Sequence, residues 1–248
     1  MTPPISIDGT DITGATIDGT DVQEITVDGD VVFSAAPDII DDFESGNLNA
    51  YNSTSGFQIS NFAAKGNHSL ELNDAPQRGF SGPQFGCYSS PGDGLANYFA
   101  KGQKMSYLWY ADNQSGFHGV VFGVNSTGTD GFGIYVTGSS SRLQVRKFEN
   151  NTDTQTYDSP APASTNVINE WILIEVQWHD GSGSQPNNTI EVRAFNTDAN
   201  RERTTLVNSL TATDSSYSNN EGIGFGDRLF NASTDIYIDH LVLLGPVD

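Results

Sequence analysis

The sequence predicts an all-β protein, a two-sheet antiparallel jelly-roll sandwich behind a small N-terminal domain of β-hairpin repeats. Three observations predict it. Short runs of apolar and β-branched residues alternate with polar ones between Gly, Asn, Ser and Asp clusters, no stretch sustains a helical period, and one phrase recurs every ten residues at the start.

The recurring phrase is Ile7-Asp8-Gly9-Thr10-Asp11, then Ile17-Asp18-Gly19-Thr20-Asp21, then Val27-Asp28-Gly29-Asp30. Asp-Gly after a β-branched residue signals a tight hairpin, because the favoured two-residue turns need positive φ at their centre. Three such hairpins bury little alone. Residues 1–36 are therefore expected to be an attachment and oligomerisation head, with a trimer favoured over a pentamer. Turn geometry already explains Asp8, Asp18 and Asp28, so they are not needed as metal ligands. Ala35-Ala36-Pro37 breaks the repeat and leaves 37–248 as the sandwich.

Within the sandwich, strands are predicted at 104–111, 117–124, 131–137, 142–148, 171–179, 189–195 and 236–244. In 171–179 the set Ile172, Ile174, Val176 and Trp178 is uniformly apolar and predicts the core face. The other set, Trp171, Leu173, Glu175, Gln177 and His179, turns polar and predicts the wet face. With 142–148 and 189–195 as its neighbours in a meander, Gln144, Arg146, Glu175, Gln177, Glu191 and Arg193 share one outward surface. Such a surface suits a sugar, whose hydroxyls take paired polar groups and whose apolar faces stack on rings. The candidate ligand-binding residues are Arg146, Glu175, Gln177, His179 and Arg193. The plainer expectation for them is a solvated face with cross-strand ion pairs.

The charge narrows the partners. The 248 residues carry 31 acidic and 11 basic side chains, a net charge of −20, with the arginines scattered along the chain. Nucleic acid is excluded on that balance. Dense carboxylates keep a protein hydrated where salt screens repulsion, so a halophilic surface is expected, with simple extracellular acidity as the alternative. Cys87 is the single cysteine, which excludes an intrachain disulfide. No apolar run reaches membrane-spanning length, so no membrane insertion is expected. The first residues lack the basic start and apolar stretch of a secretory leader, and the chain is expected to stay soluble where it is made.

Catalysis is not expected. A retaining glycosidase needs two carboxyls about 5 Å apart across the scissile bond. The nearest pair here, Glu170 and Glu175, are five residues apart and so point to opposite faces of a strand. Neither Gly-x-Ser-x-Gly nor His-Glu-x-x-His occurs, and His68, His118, His179 and His240 fall in separate segments. Sequons at Asn52, Asn67, Asn113, Asn125, Asn150, Asn187 and Asn231 argue for surface exposure at turns and nothing more.

Five phrases then occur in order: Asp41-Asp-Phe-Glu-Ser-Gly-Asn-Leu48, Gly66-Asn-His-Ser-Leu-Glu-Leu72, Asn169-Glu-Trp-Ile-Leu-Ile-Glu-Val-Gln-Trp178, Gly222-Ile-Gly-Phe225 and Ile236-Tyr-Ile-Asp-His-Leu-Val-Leu243. Together they resemble successive strands of concanavalin A-like, laminin-G-like jelly rolls, over the region from Asp38 to the C-terminus. The resemblance implies adjacent first and last strands, and a fold used for glycan binding, adhesion and occasionally glycoside cleavage. It also implies a structural Ca2+ held by an early acid, a late acid and backbone carbonyls, the acids here being Asp42 or Glu44 with Asp239. A carboxylate inside an otherwise apolar strand needs solvation, hydrogen bonds or a cation, and capping by backbone amides is the alternative that needs no metal.

The head, ending in Val22-Gln-Glu-Ile-Thr-Val-Asp-Gly-Asp-Val-Val-Phe33, resembles the openings of structural proteins of tailed viruses of halophilic archaea. That implies a virion surface protein, a turret, decoration or fibre component, made in the host cytoplasm. Its implied partners are copies of itself, other virion proteins and a host cell-surface glycan or glycoprotein. The alternatives are a secreted cellular carbohydrate-binding or adhesion module and, as an outsider, a glycoside hydrolase.

Overall fold

A computed structural model describes residues 6–7, 10–11, 16–17, 20–21, 24–27, 30–34, 38–52, 54, 56–72, 85–112, 116–138, 140–150, 152–160, 166–229 and 235–247. The chain divides into two units, Met1–Pro37 and Asp38–Asp248. In the first, β1 (Ser6–Ile7) pairs with β2 (Thr10–Asp11), β3 (Thr16–Ile17) with β4 (Thr20–Asp21), and β5 (Glu24–Val27) with β6 (Asp30–Ser34), each pair antiparallel. One hairpin thus falls on each copy of the repeat. The Asp-Gly pairs at 8–9, 18–19 and 28–29 lie outside the described residues.

The second unit is built from β7 (Asp38–Asp41), β8 (Phe57–Ser60), β9 (Ser69–Leu72), β10 (Phe85–Ser89), β11 (Gln103–Ala111), β12 (Gly116–Val124), β13 (Gly131–Thr137), β14 (Arg142–Glu149), β15 (Thr152–Asp158), β16 (Ile172–Trp178), β17 (Thr189–Thr197), β18 (Arg203–Thr213), β19 (Gly222–Leu229) and β20 (Ile236–Pro246). An eight-stranded sheet runs β18-β17-β16-β11-β20-β9-β8, with β7 also on β20, and a six-stranded sheet runs β10-β19-β12-β13-β14-β15. All pairings are antiparallel. The first and last strands of the sandwich lie side by side, with Val242 opposite Ile39 and Leu243 opposite Asp38.

The core forms where the inner faces meet. From the larger sheet come Met105, Tyr107 and Trp109, Ile172, Ile174, Val176 and Trp178, and Ile190, Val192 and Ala194. Val120, Phe122, Phe132, Ile134, Val136, Leu143 and Val145 oppose them. Trp178 sits at the centre, its ring 5.2 Å from Phe122, 6.0 Å from Phe132 and 6.3 Å from Phe99. In β20 the inward series runs Ile236, Ile238, then Leu241 and Leu243, because His240 adopts a left-handed φ of 52° and adds a residue to the outer side. That bulge is why both faces of this strand looked apolar in sequence.

One topological expectation is corrected. Arg142–Glu149 does not flank β16: it is β14, in the other sheet, while β16 lies between β11 and β17. Tight turns at Ser141 (φ 49°) and Asn150 (φ 50°) join β14 to β13 and β15, so both its edges are already occupied by its chain neighbours.

Candidate functional site

Topology divides the predicted ligand-binding set. Glu175 stands opposite Arg193 and Gln177 opposite Glu191, all on the outer side of the eight-stranded sheet because the alternate residues fill the core. Arg203 Nη1 donates to Glu175 Oε1 at 2.7 Å, and Arg193 Nη2 reaches Glu191 Oε2 at 3.5 Å. His179, predicted on the wet face, is buried just past the end of β16, its Nε2 at 3.1 Å from the same Glu191 oxygen. The backbone fixes it there: His179 N donates to Thr189 O, and Asn188 N donates to His179 O. Arg146 does not join these residues. It lies in the six-stranded sheet, donating to Gln144 Oε1 at 2.9 and 2.7 Å and to Asp153 Oδ2 at 2.7 Å. Glu175, Glu191 and Arg146 thus all meet opposite charges of this chain, and Glu175, Gln177 and Arg146 are buried rather than lying on the solvated face expected from alternation.

A different group of side chains is gathered around a cleft of 560 Å³, lined by Phe62, Ala63, Tyr110, Asn169, Glu170, Trp171, Asn196, Thr197 and Arg201. It lies where β11 and β17 finish and β16 begins. Tyr110 faces outward because its neighbour Trp109 faces the core. Asn169, at φ 62°, donates its N–H to Ala111 O, and Tyr110 Oη donates to Asn169 Oδ1 at 3.2 Å. Thr197 Oγ1 donates to the Trp171 carbonyl at 2.7 Å, tying the end of β17 to the start of β16. In the following turn Asp198 Oδ1 accepts the amides of Asn200 and Glu202, and Arg201, at φ 65°, donates its N–H to Asp198 O.

Phe62 is the exposed ring of the cleft, 43% accessible where Trp171 is 5% accessible. Its ring is stacked on Trp171 at 5.7 Å and 20°, with Tyr110 at 4.8 Å and Tyr237 at 4.7 Å. Three rings therefore hold a fourth in place, and that fourth stays nearly half exposed to the cleft. Around it Asn169, Glu170, Asn196 and Arg201 supply donors and acceptors, the combination that a ring-shaped polyol requires. Periodicity placed Trp171 on the outer side but had no means of finding Phe62, Tyr110 or Arg201. The one sequence signal was a lone phenylalanine in the polar stretch Ser60-Asn61-Phe62.

The predicted calcium ligands accept backbone amides. Glu44 Oε1 accepts the amides of Asn67 and His68, each at 2.7 Å, and its Oε2 accepts from Asn67 Nδ2; these bonds lower its pKa. Asp42 Oδ1 accepts the Glu44 amide at 3.2 Å. Asp239, fully buried, accepts the amides of Ala64 and Lys65 through Oδ2 at 2.7 and 2.8 Å. Among the described residues no three His, Cys, Asp or Glu side chains converge on a point. Glu44 and the Oδ2 of Asp239 are capped by backbone amides, so Asp239 pins the loop that carries Phe62, while its Oδ1 is buried with no hydrogen-bond partner.

Burial raises the Asp239 carboxyl from the ordinary 3.8 to about 6. The folded state thus holds this proton more tightly than the unfolded chain does. The associated stability is complete at low pH, below the unfolded value, and lost as pH rises through about 6. Asp239→Asn keeps a carbonyl oxygen for the two amides but cannot ionise. Wild type is expected to lose up to about 3 kcal/mol relative to this variant between pH 4 and 7. Urea unfolding of both proteins across that range checks it, and parallel stability curves contradict it.

The second unit is, by its fold, a jelly-roll sandwich of two antiparallel sheets with an aromatic cleft at one end of the larger one. No protein-family model and no curated protein matches the chain. Among solved structures it is similar to the carbohydrate-binding module CBM66 from Bacillus subtilis, at 10% identity and a TM-score of 0.48, over 79% of this chain and 96% of that one. It is also similar to the Bacteroides ovatus xyloglucan PUL GH43B, at 14% identity and 0.47, over 86% of this chain and 40% of that one. A third is a legume lectin-like domain from Entamoeba histolytica, at 9% identity and 0.45, over 78% and 91%. These scores all fall below 0.5.

Proposed function

We propose that this is a virion surface protein of a tailed virus of halophilic archaea, whose sandwich binds a host-surface glycan in the Phe62 cleft and whose head attaches it to the particle. The observation that carries the binding half is the Phe62 ring, nearly half exposed and stacked on Trp171, with four polar side chains beside it. A half-exposed aromatic on rigid support offers stacking area at little entropic cost. Glu170 is the one carboxylate among the residues lining the cleft, and cleavage of a glycoside by the usual route takes two, which favours binding over hydrolysis.

The virion half is supported by the order of the parts and by the charge. A strip of three hairpins precedes a display module, and a net charge of −20 suits a surface working in concentrated salt. The head has little to bury within one chain, so assembly as a homotrimer, or else a homopentamer, is part of the proposal. A secreted cellular carbohydrate-binding module is the second reading, and it shares the same cleft. A glycan array probed with the full chain in multi-molar salt tests the binding. Retention of a defined set of oligosaccharides is expected, and a blank array with folded protein overturns it. Light scattering in the same buffer separates the two readings, a monomer counting against the virion role.

A further inference from the structure

We infer that the cleft selects an acidic sugar, a hexuronate or a sulfated residue, and that Arg201 takes its anionic group. The inference rests on the reading of the cleft as a glycan site and names the ligand class. Its ground is how the basic groups of this chain are used. Among the described residues, Arg142 pairs with Asp158, Arg146 with Asp153, Arg193 with Glu191 and Arg203 with Glu175, at 3.2, 2.7, 3.5 and 2.7 Å. Lys65 pairs with Glu202 and Lys147 with Glu149. In a chain of 31 carboxylates and 11 cations, these four arginines and two lysines each meet an acid, while Lys101 Nζ donates to Asn188 Oδ1.

Of the arginines whose side chains are described, Arg201 is the one with no carboxylate paired to it, and it lines the aromatic cleft. The acids of its own turn bond other groups through one oxygen each: Asp198 Oδ1 accepts the amides of Asn200 and Glu202, and Glu202 Oε1 meets Lys65 Nζ at 3.1 Å. The same Asp198 bonds hold Arg201 at its left-handed φ of 65°, so the side chain starts from a fixed base. A guanidinium presents a planar fork that matches a carboxylate or sulfate, and charge-assisted bonds of that kind are the strong ones. A pyranose stacked on Phe62 leaves its ring substituents to the polar residues around it, of which Arg201 is the cationic one and Glu170 the anionic one.

The chain's net charge opposes any anion at long range, whereas at contact the cleft sets Arg201 for it and Glu170 against it. At about 1 M salt the screening length is about 3 Å, so the repulsion of distant carboxylates is lost while a hydrogen-bonded pair within that distance persists. Preference for the acidic sugar is therefore expected to survive concentrated salt.

The test uses the full chain in multi-molar sodium chloride, with calorimetric titration of sodium oligogalacturonate against its methyl ester, and of a sulfated glycosaminoglycan fragment against its desulfated form. Wild type is expected to bind one of the acidic forms about tenfold or more tightly than its neutral counterpart. Arg201→Gln is expected to bring that acidic form down to the neutral level, and Phe62→Ala to lose both. Equal affinity of wild type for acidic and neutral forms overturns the assignment of Arg201 while leaving the glycan site standing. Equal loss of both forms in Arg201→Gln also overturns it, because the arginine would then serve any sugar. If folded wild type binds neither form of either pair and also gives a blank glycan array, the glycan reading itself falls.

Discussion

Gly119→Ala is expected to abolish the folded sandwich. Gly119 sits in β12, opposite Gly226 of β19 and beside β13. A Cβ built there would lie 1.3 Å from the Ile134 carbonyl oxygen and 2.5 Å from its carbon. Both are backbone atoms of the adjacent strand, so no rotamer change relieves the overlap. Relief requires β13 to move, and Phe132, Ile134 and Val136 move with it out of the core. Each of those side chains stabilises the fold by about 1.5–3 kcal/mol through burial, so the combined loss reaches the whole stability of a typical domain, about 5–15 kcal/mol. Gly46→Ala is the control: its φ is 67°, and nothing lies within 4 Å of the added methyl. Only the left-handed backbone penalty applies there, about 1–2 kcal/mol. Soluble yield and near-ultraviolet circular dichroism of the two variants check this, and a Gly119→Ala protein that unfolds at the wild-type urea midpoint contradicts it.

Phe62→Ala is expected to remove glycan binding and leave the fold nearly intact. Its ring is the open face of the cleft, and truncation of a central aromatic anchor typically costs about 2 kcal/mol or more of binding, about 30-fold in affinity. The cost in stability is small because nearly half of the ring already meets water. Trp171→Ala has the opposite balance. At 5% exposure, beneath Phe62 and against Tyr110, it is a supporting residue, and its loss is expected to destabilise the fold by about 3–5 kcal/mol as well as to weaken binding. Affinity and melting temperature measured on both variants separate the residue that touches the ligand from the one that holds it.

The strands with a uniform apolar set were legible in the sequence. Ile172, Ile174, Val176 and Trp178 define an inner face without ambiguity, and β11, β13 and β17 follow the same rule. β15 and β18 were not legible, because Thr152–Asp158 and Arg203–Thr213 are rich in Thr, Asn and Ser and are strands only through the ladders of β14 and β17. Alternation also gives a side without giving a sheet. Arg146 and Glu175 each read as outward-facing, and only the turns around β14 decide that they belong to different sheets. The cleft was harder still, since Phe62, Tyr110, Trp171 and Arg201 come from four separate segments that meet at one end of one sheet. Asp239 is intermediate: burial in an apolar strand called for partners, and the partners are the amides of Ala64 and Lys65, 175 and 174 residues away.

A crystal structure of the protein with an oligosaccharide retained on the array tests the central claim most directly. A sugar ring parallel to Phe62, hydrogen-bonded to residues among Asn169, Glu170, Asn196 and Arg201, is the predicted result. A sugar bound elsewhere with the Phe62 face bare, for example across Glu175 and Arg193 or beside Arg146, contradicts it.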